Sequence, residues 1–273
     1  MAGSTQIRNN EQVNLLRADF QARYEPNFAW KSAVSSILAL PGLRACWPMS
    51  SVDYATASQA RDVSGGGYHL ENVNSSLFGY AANTLIPCVT FNGTTQYLTR
   101  ADGGAGNWAD ITGTEAYIAA GQRGLTLGAW VYLSAFTPFV NAVIAKWGAG
   151  NQLAYILCEM AGLYYFCVSS LGTFASAVCV SVAGAALNTW IHLVGRFVPS
   201  TSMDIYVNGV KTTNAVGTPA SIFDSSASFN IGYNSDGNLY LDGKVSLAFL
   251  CAAACSDAQV VNVYQQTRAL FGV

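Results

Sequence analysis

The sequence predicts a mainly β fold, in which antiparallel strands form a sandwich with a helical arm before it and a short helix at its C-terminus. Its clearest strand runs from Leu125 to Leu133 and places alternate apolar residues on one face, with Trp130 and Tyr132 on the other. Further short apolar runs follow, separated by Gly, Asn, Ser and Pro. Many short strands without intervening helices are typical of a sandwich or barrel.

One pair of predicted strands carries a specific turn signal. Asn208-Gly209 separates the run at 203–207 from Val210. This dipeptide favours a type I′ hairpin turn, because both central residues need positive φ. The other predicted strands lie at 153–158, 163–168, 177–182, 190–198, 229–233 and 245–250.

Two helices are predicted before the sandwich. The second runs from 28 to 40 and ends at Pro41-Gly42. Helices of this size have no core of their own, so they must pack on the sandwich, on a copy of the chain or on another partner. We therefore expect an anchoring or oligomerisation arm at 1–45 and a sandwich at 46–273. The first helix is indicated by apolar residues at three- and four-residue spacing: Val13, Leu16, Phe20 and Tyr24.

The C-terminal helix is predicted from its first residues. Ser256 and Gln259 have the three-residue spacing of a capping box, in which each side chain accepts a hydrogen bond from the other residue's backbone N–H. The apolar residues of 260–264 follow directly. One short helix therefore closes the sandwich.

Composition excludes several ligand classes. Charged residues make up only 10% of the chain, against a usual share of roughly 25%. This low share suggests that neighbouring molecules cover much of the protein surface. The net charge is -2 and the basic residues are scattered, so nucleic acid is not expected. No apolar run is long enough for a membrane span. The N-terminus lacks the pattern of a secretory signal, so synthesis in the cytoplasm is expected.

The cysteines indicate neither a disulfide framework nor a metal site. There are seven, an odd number without paired close spacings, so free buried thiols are predicted. Cys251 and Cys255 are four residues apart, but no histidine or second cysteine pair lies near them in the sequence to complete a zinc site.

Five segments, in chain order, resemble the laminin-G-like family of concanavalin A-like jelly rolls. The third reads Leu-Thr-Leu-Gly-Ala-Trp-Val at 125–131. The others lie at 46–67, 89–98, 190–209 and 229–264. The resemblance implies a concanavalin A-like sandwich. It leaves the function open among lectins, adhesion modules, enzymes and viral structural proteins.

The resemblance also concerns calcium. Carbohydrate-binding relatives often place an acidic ligand just after the Gly-x-Val of the fifth segment, and this chain has Ser246 there. Because calcium prefers carboxylate oxygens, we predict no cofactor. Asp62, Asp236 and Asp242 could contribute oxygens, but we expect ordinary turn roles for them.

Catalysis is not expected. Glycosidases need paired carboxyl groups, and Glu71, Glu115 and Glu159 are the only glutamates of the predicted sandwich, none in such an arrangement. We interpret Glu159 as a solvated strand end. His192 is interpreted as a cross-strand partner or a satisfied core histidine. A glycosidase is a third function that would depend on Glu159.

Aromatic residues are the remaining ligand candidates. Trp147, Tyr155, Tyr233 and Trp108 are predicted in or beside loops, where a sugar ring could stack on an exposed aromatic side chain. Polar groups such as Asn234 and Asp236 would then bind the sugar hydroxyls. Alternatively, the aromatic residues cap the core or fill a protein interface.

The features together favour a non-enzymatic structural protein at the surface of a phage or virus-like particle, such as a capsid decoration or fibre-like subunit. The stretch 111–115 resembles phage-encoded laminin-G-like sequences. The arm would bind a capsid shell, and a homo-oligomer such as a trimer would bury the apolar surfaces. The alternative is a carbohydrate-binding lectin module for host or surface attachment.

Overall fold

A computed structural model describes residues 29–50, 58–80, 86–104, 107–136 and 139–273. Two antiparallel eight-stranded sheets form a sandwich, and a two-stranded hairpin is added to them. This confirms the predicted fold class. The first predicted helix lies outside the described residues.

The described residues form strands from Leu43 to Cys251. They are β1 Leu43–Trp47, β2 Gln59–Ala60, β3 Leu70–Val73, β4 Leu77–Tyr80, β5 Pro87–Asn92, β6 Tyr97–Arg100, β7 Leu125–Leu133, β8 Asn141–Gly148, β9 Gln152–Met160, β10 Leu163–Ser169, β11 Ala177–Ala183, β12 Trp190–Val198, β13 Ser202–Val207, β14 Val210–Asn214, β15 Phe229–Ile231, β16 Tyr233–Asn234, β17 Leu239–Tyr240 and β18 Asp242–Cys251. Sheet A has the order β14-β13-β12-β7-β18-β5-β4, and β1 pairs with β18. Sheet B has the order β11-β10-β9-β8-β15-β6-β3-β2, and β16 pairs with β17.

The alternation of β7 builds the centre of the core. Leu125, Leu127, Ala129, Val131 and Leu133 are buried between the sheets, as predicted. The predicted hairpin is also present, since Asn208 and Gly209 have φ of 50° and 78° between β13 and β14. Strand β8 was not predicted from the sequence.

Two helices cover the outer face of sheet A. Helix α1 is described from residue 29 to 38 and buries Ala33 and Ile37 there. The second predicted helix therefore packs on the sandwich itself, and the boundary expected at residue 45 falls within β1. Within the described ranges, no helix is both long and apolar enough to cross a membrane.

Helix α2, Asp257–Thr267, begins at the predicted capping box, since Ser256 and Gln259 exchange both hydrogen bonds. Its end packs on Trp130, whose Nε1 donates to Oγ1 of Thr267 at 2.9 Å. The ring of Trp130 also stacks on Phe271, with centroids 4.1 Å apart. The outer face of β7 is therefore closed by the C-terminus of the chain.

The prediction that all cysteines are free is wrong for one pair. Cys167 and Cys179 form a disulfide, because the register of β10 and β11 places them directly opposite each other. A separation of 12 residues does not indicate this pairing until the hairpin is known. The remaining thiols are free and buried, as predicted: Cys46, Cys88, Cys158, Cys251 and Cys255.

Two further interpretations need correction. Glu159 is not a solvated strand end, since it is buried, accepts a hydrogen bond from Nδ2 of Asn141 at 2.7 Å and accepts another from the N–H of Gly162. His192 is a core histidine, opposite Trp130 in the sheet, but its buried Nδ1 has no hydrogen-bond partner. Burial lowers the pKa of His192 to about 3.

Candidate functional site

A short hairpin, formed by β16 and β17, leaves sheet B directly after β15. Its base is closed where the N–H of Leu241 donates to the carbonyl of Gly232 at 3.0 Å. Gly232 has φ of 83°, and a Cβ there would lie 3.1 Å from the ring of Phe91, so this exit requires glycine. Directly after β16 the hairpin contacts β8, because Oγ of Ser235 donates to the carbonyl of Trp147. The hairpin is therefore fixed at both its base and its turn.

Three half-buried tyrosines meet at this hairpin, and we refer to Tyr97, Tyr233 and Tyr240 as the tyrosine cluster. The ring of Tyr233 stacks on Tyr97, with centroids 4.4 Å apart, and lies 4.7 Å from Tyr240. Tyr97 and Tyr240 are themselves only 6.1 Å apart, so the rings form a triangle and not a linear stack. The cluster joins the start of β6 to both strands of the hairpin.

Polar groups border the tyrosine cluster. The hydroxyl of Tyr233 donates to Oδ1 of Asn238 at 2.7 Å. In the turn between them, the N–H of Asp236 donates to Oδ1 of Asn234. Burial raises the pKa of Tyr233 to about 12, and the neighbouring tyrosines add to this shift. The phenol is therefore neutral at physiological pH and keeps its proton for hydrogen bonding.

The turn between β5 and β6, which immediately precedes Tyr97, is fixed by side-chain hydrogen bonds. Oδ1 of Asn92 accepts hydrogen bonds from the backbone N–H groups of Thr94, Thr95 and Gln96. The side chain of Gln96 donates to the carbonyls of the β3–β4 turn, and Asn74 donates back to Thr95. These side-chain bonds fix two turns against each other, so the tyrosine cluster lies on a preorganised surface.

Only part of the predicted ligand set lies at this surface. Tyr233 and Asp236 are half-buried at the hairpin, whereas Asn234 is buried beneath it. The structure adds Tyr97, Tyr240 and Asn238 to the set. The sequence offered one signal for the two added tyrosines: each is directly followed by a leucine, as in Gln-Tyr-Leu at 96–98 and Leu-Tyr-Leu at 239–241.

The other predicted aromatic residues are not accessible. Trp147 lies in β8, is 4% exposed and meets Phe174 edge-on. Tyr155 lies in β9, is fully buried and donates its hydroxyl to the carbonyl of Ala109. Trp108 is buried against Tyr68. These three therefore fill the packing, and the expectation that they offer a ring to a sugar is wrong because no face is free.

Two of the positions considered for calcium, Asp62 and Ser246, have other partners. Asp62 accepts hydrogen bonds from the N–H groups of Cys46 and Ser64, which is the expected turn role. Ser246 is buried and donates to the carbonyl of Pro87. Within the ranges that the structure describes, no group of three or more His, Cys, Asp and Glu residues is arranged to hold a metal ion.

Comparison with known proteins gives the family. A family model described as the concanavalin A-like lectin/glucanases superfamily matches residues 92–261, which is more than half of the chain. The chain belongs to this superfamily. No curated protein matches it.

Solved structures share the fold of this superfamily member at low sequence identity. The receptor-binding domain of the botulinum neurotoxin C/D mosaic serotype has a TM-score of 0.60 at 10% identity, over 82% of this chain and 51% of that one. The ligand-binding domain of botulinum neurotoxin serotype D, in complex with N-acetylneuraminic acid, has a TM-score of 0.59 at 11% identity, over 85% and 52%. This chain thus spans about half the length of these toxin domains.

A third similar structure has the size of a single module. Domain 4 of AbnA, a GH43 extracellular arabinanase from Geobacillus stearothermophilus, in complex with arabinotriose, has a TM-score of 0.56 at 15% identity. The match covers 83% of this chain and all of that domain. At such identities these structures establish the lectin-like jelly-roll fold alone.

Proposed function

We propose that this superfamily member is a non-enzymatic carbohydrate-binding module and that the tyrosine cluster is its binding surface. The observation that carries the proposal is the triangle of half-buried rings, with Asn238 and Asp236 beside it on the same hairpin. The apolar face of a sugar ring packs on aromatic side chains, while nearby amide and carboxylate oxygens accept hydrogen bonds from its hydroxyls. A preorganised surface loses little entropy when it binds.

The bonding of two glutamates, Glu159 and Glu115, supports a binding role in place of catalysis. A glycosidase needs two carboxyl groups that flank the scissile bond. Glu159 is buried and bonded to Asn141, and Oε1 of Glu115 accepts hydrogen bonds from the backbone of Thr112 and Gly113. Both carboxylates are thus occupied in holding turns and strands, which leaves them poorly placed to reach a substrate.

The similar structures support the choice of ligand class. The serotype D domain was solved with N-acetylneuraminic acid, and the arabinanase domain was solved with arabinotriose. One of these domains comes from a toxin and the other from an arabinanase, and both were solved with a sugar bound. For this chain, binding of a sugar is the proposal to be tested.

The test is a glycan array followed by titration calorimetry with the best glycan, comparing the whole chain with Tyr97→Ala and Tyr240→Ala. We expect each substitution to weaken binding about tenfold or more, because each removes part of the packing surface. Tyr80→Ala is the matched control, since Tyr80 is an exposed tyrosine on β4 and outside the cluster. Unfolding temperatures of all variants would show that they are folded. Absence of any bound glycan, or equal loss in the control, would overturn the proposal.

Display on a particle is a second proposal, which fits the same module. The low charge of the chain leaves large apolar side chains in contact with solvent, including Leu171 and Phe174, which are 70% and 67% exposed. A capsid decoration or fibre-like subunit would cover such side chains with a capsid shell or with further copies in a homo-oligomer. The mass of the chain in solution and its presence in purified phage particles test this role. A monomer that is absent from particles would overturn it.

A further inference from the structure

We infer that the tyrosine cluster selects uncharged sugars and rejects anionic ones such as sialylated glycans. This inference rests on the proposed function and specifies its ligand class. It starts from the chain segments that build the surface, which are 71–76, 92–97 and 233–242. They contain Glu71, Asp236 and Asp242 but no lysine, arginine or histidine.

Three basic side chains of neighbouring strands are directed to other partners. Lys244, which follows the hairpin on β18, lies over the ring of Tyr132, with Nζ 5.1 Å from the centroid. Arg100, at the opposite end of β6 from Tyr97, lies over the rings of Tyr68 and Trp108. Lys146 is buried in ion pairs. Each of these three cations already has a partner, which disfavours its pairing with a ligand carboxylate at the cluster.

The remaining charges disfavour an anion directly. Asp236 lies in the turn of the hairpin, and Asp242 follows its second strand. A sialic acid carboxylate brought to this surface would lose water and meet carboxylates of the same sign without a counter-charge. The hydroxyls of a neutral sugar can instead donate to Asp236 and Asn238, and a bond to a carboxylate is the stronger kind.

The affinity for a neutral glycan should depend little on salt. Attraction or repulsion between ions weakens as ionic strength rises, whereas packing of a neutral ring on tyrosines does not. We expect the dissociation constant for a neutral glycan to change less than about twofold between about 50 mM and about 500 mM NaCl. A steep loss of affinity with salt would overturn the inference.

The decisive experiment uses matched glycan pairs, each a neutral oligosaccharide and the same oligosaccharide capped with sialic acid, titrated against the whole chain. We expect the neutral member to bind about tenfold or more tightly than the capped one. Tighter binding of the capped member would overturn the inference and leave the proposed function standing. If neither member of any pair binds and no other glycan binds, the proposed function itself fails.

A charge reversal tests whether this surface causes the discrimination. Asp236→Lys should reduce the preference for the neutral member at least about tenfold, because it replaces a repelling charge by an attracting one. Asp236→Asn should reduce it less. Asp224→Lys is the control, since Asp224 is exposed and lies outside the segments of the cluster. An unchanged preference in Asp236→Lys, or an equal effect of the control, would overturn the assignment.

Discussion

Nζ of Lys146 lies 3.1 Å from Oδ1 of Asp110 in the interior of the sandwich and 2.8 Å from Oδ1 of Asp102. The same ammonium donates to the carbonyl of Ala227 at 2.7 Å. One lysine of sheet B thus joins two carboxylates of the segment between β6 and β7. Tyr155 holds that segment as well, through its bond to Ala109.

Replacement of this lysine should be costly. In Lys146→Met the two carboxylates would lack their cation, and loss of one partner of a buried pair costs about 3 to 5 kcal/mol. Urea unfolding measures the change in the free energy of unfolding. Lys211→Met is the control, because Lys211 pairs with Asp257 at the surface, where such a pair contributes about 1 kcal/mol or less. Equal losses in the two variants would contradict the prediction.

His192 should make the protein sensitive to mild acid. Its pKa is lowered to about 3 by burial, so the unfolded chain binds a proton before the folded chain does. Its contribution is complete above the unfolded pKa of about 6.5 and falls by about 1.4 kcal/mol per pH unit as the pH decreases toward 3. The free energies of unfolding of the wild type and His192→Leu should be measured from pH 7 to pH 4. Below about pH 6, the slopes of the two curves against pH should differ by the equivalent of one bound proton. Parallel profiles would show that His192 is not responsible.

The disulfide can be counted by alkylation. Iodoacetamide should leave the five free cysteines of the native protein unmodified, because they are buried. Burial also raises the pKa of Cys88 to about 11 and that of Cys158 to about 12, so these two side chains form little reactive thiolate. After unfolding without reductant, intact mass should show five additions, and all seven cysteines should react after reduction. Seven additions without reductant would contradict the pairing of Cys167 with Cys179.

The start of α2 offers a local stability test. Ser256→Ala removes the side chain that accepts a hydrogen bond from the N–H of Gln259, and loss of such a cap costs about 1 kcal/mol. Gln266→Ala, at an exposed position on the same helix, should leave the free energy of unfolding nearly unchanged. Thermal unfolding of both variants checks this. A destabilisation by Gln266→Ala as large as that by Ser256→Ala would be inconsistent with a specific capping effect.

The local patterns of the sequence predicted those parts of the fold that depend on neighbouring residues. The alternation in β7, the Asn208-Gly209 turn and the capping box at Ser256 each concern a few consecutive residues. Each was found in place because local conformational preference and burial favour the same structure there.

Features that depend on distant contacts were missed. Strand β8 contains Lys146, a residue type that is normally exposed, and its burial depends on Asp102 and Asp110 from another segment. The bond between Cys167 and Cys179 depends on strand register. The tyrosine cluster combines Tyr97 with a hairpin near the other end of the chain, so only the folded chain brings its rings together.

The hydrogen bond between Leu241 and Gly232 has a consequence for how this scaffold can diversify. Because the hairpin is closed at its base, we expect changes at Asp236 and Asn238 to alter the surface without changing the register of the sheet. A library restricted to those two positions would vary the proposed binding surface on a constant framework. The same arrangement would separate the residues that determine any binding specificity from those that determine the stability of the sandwich.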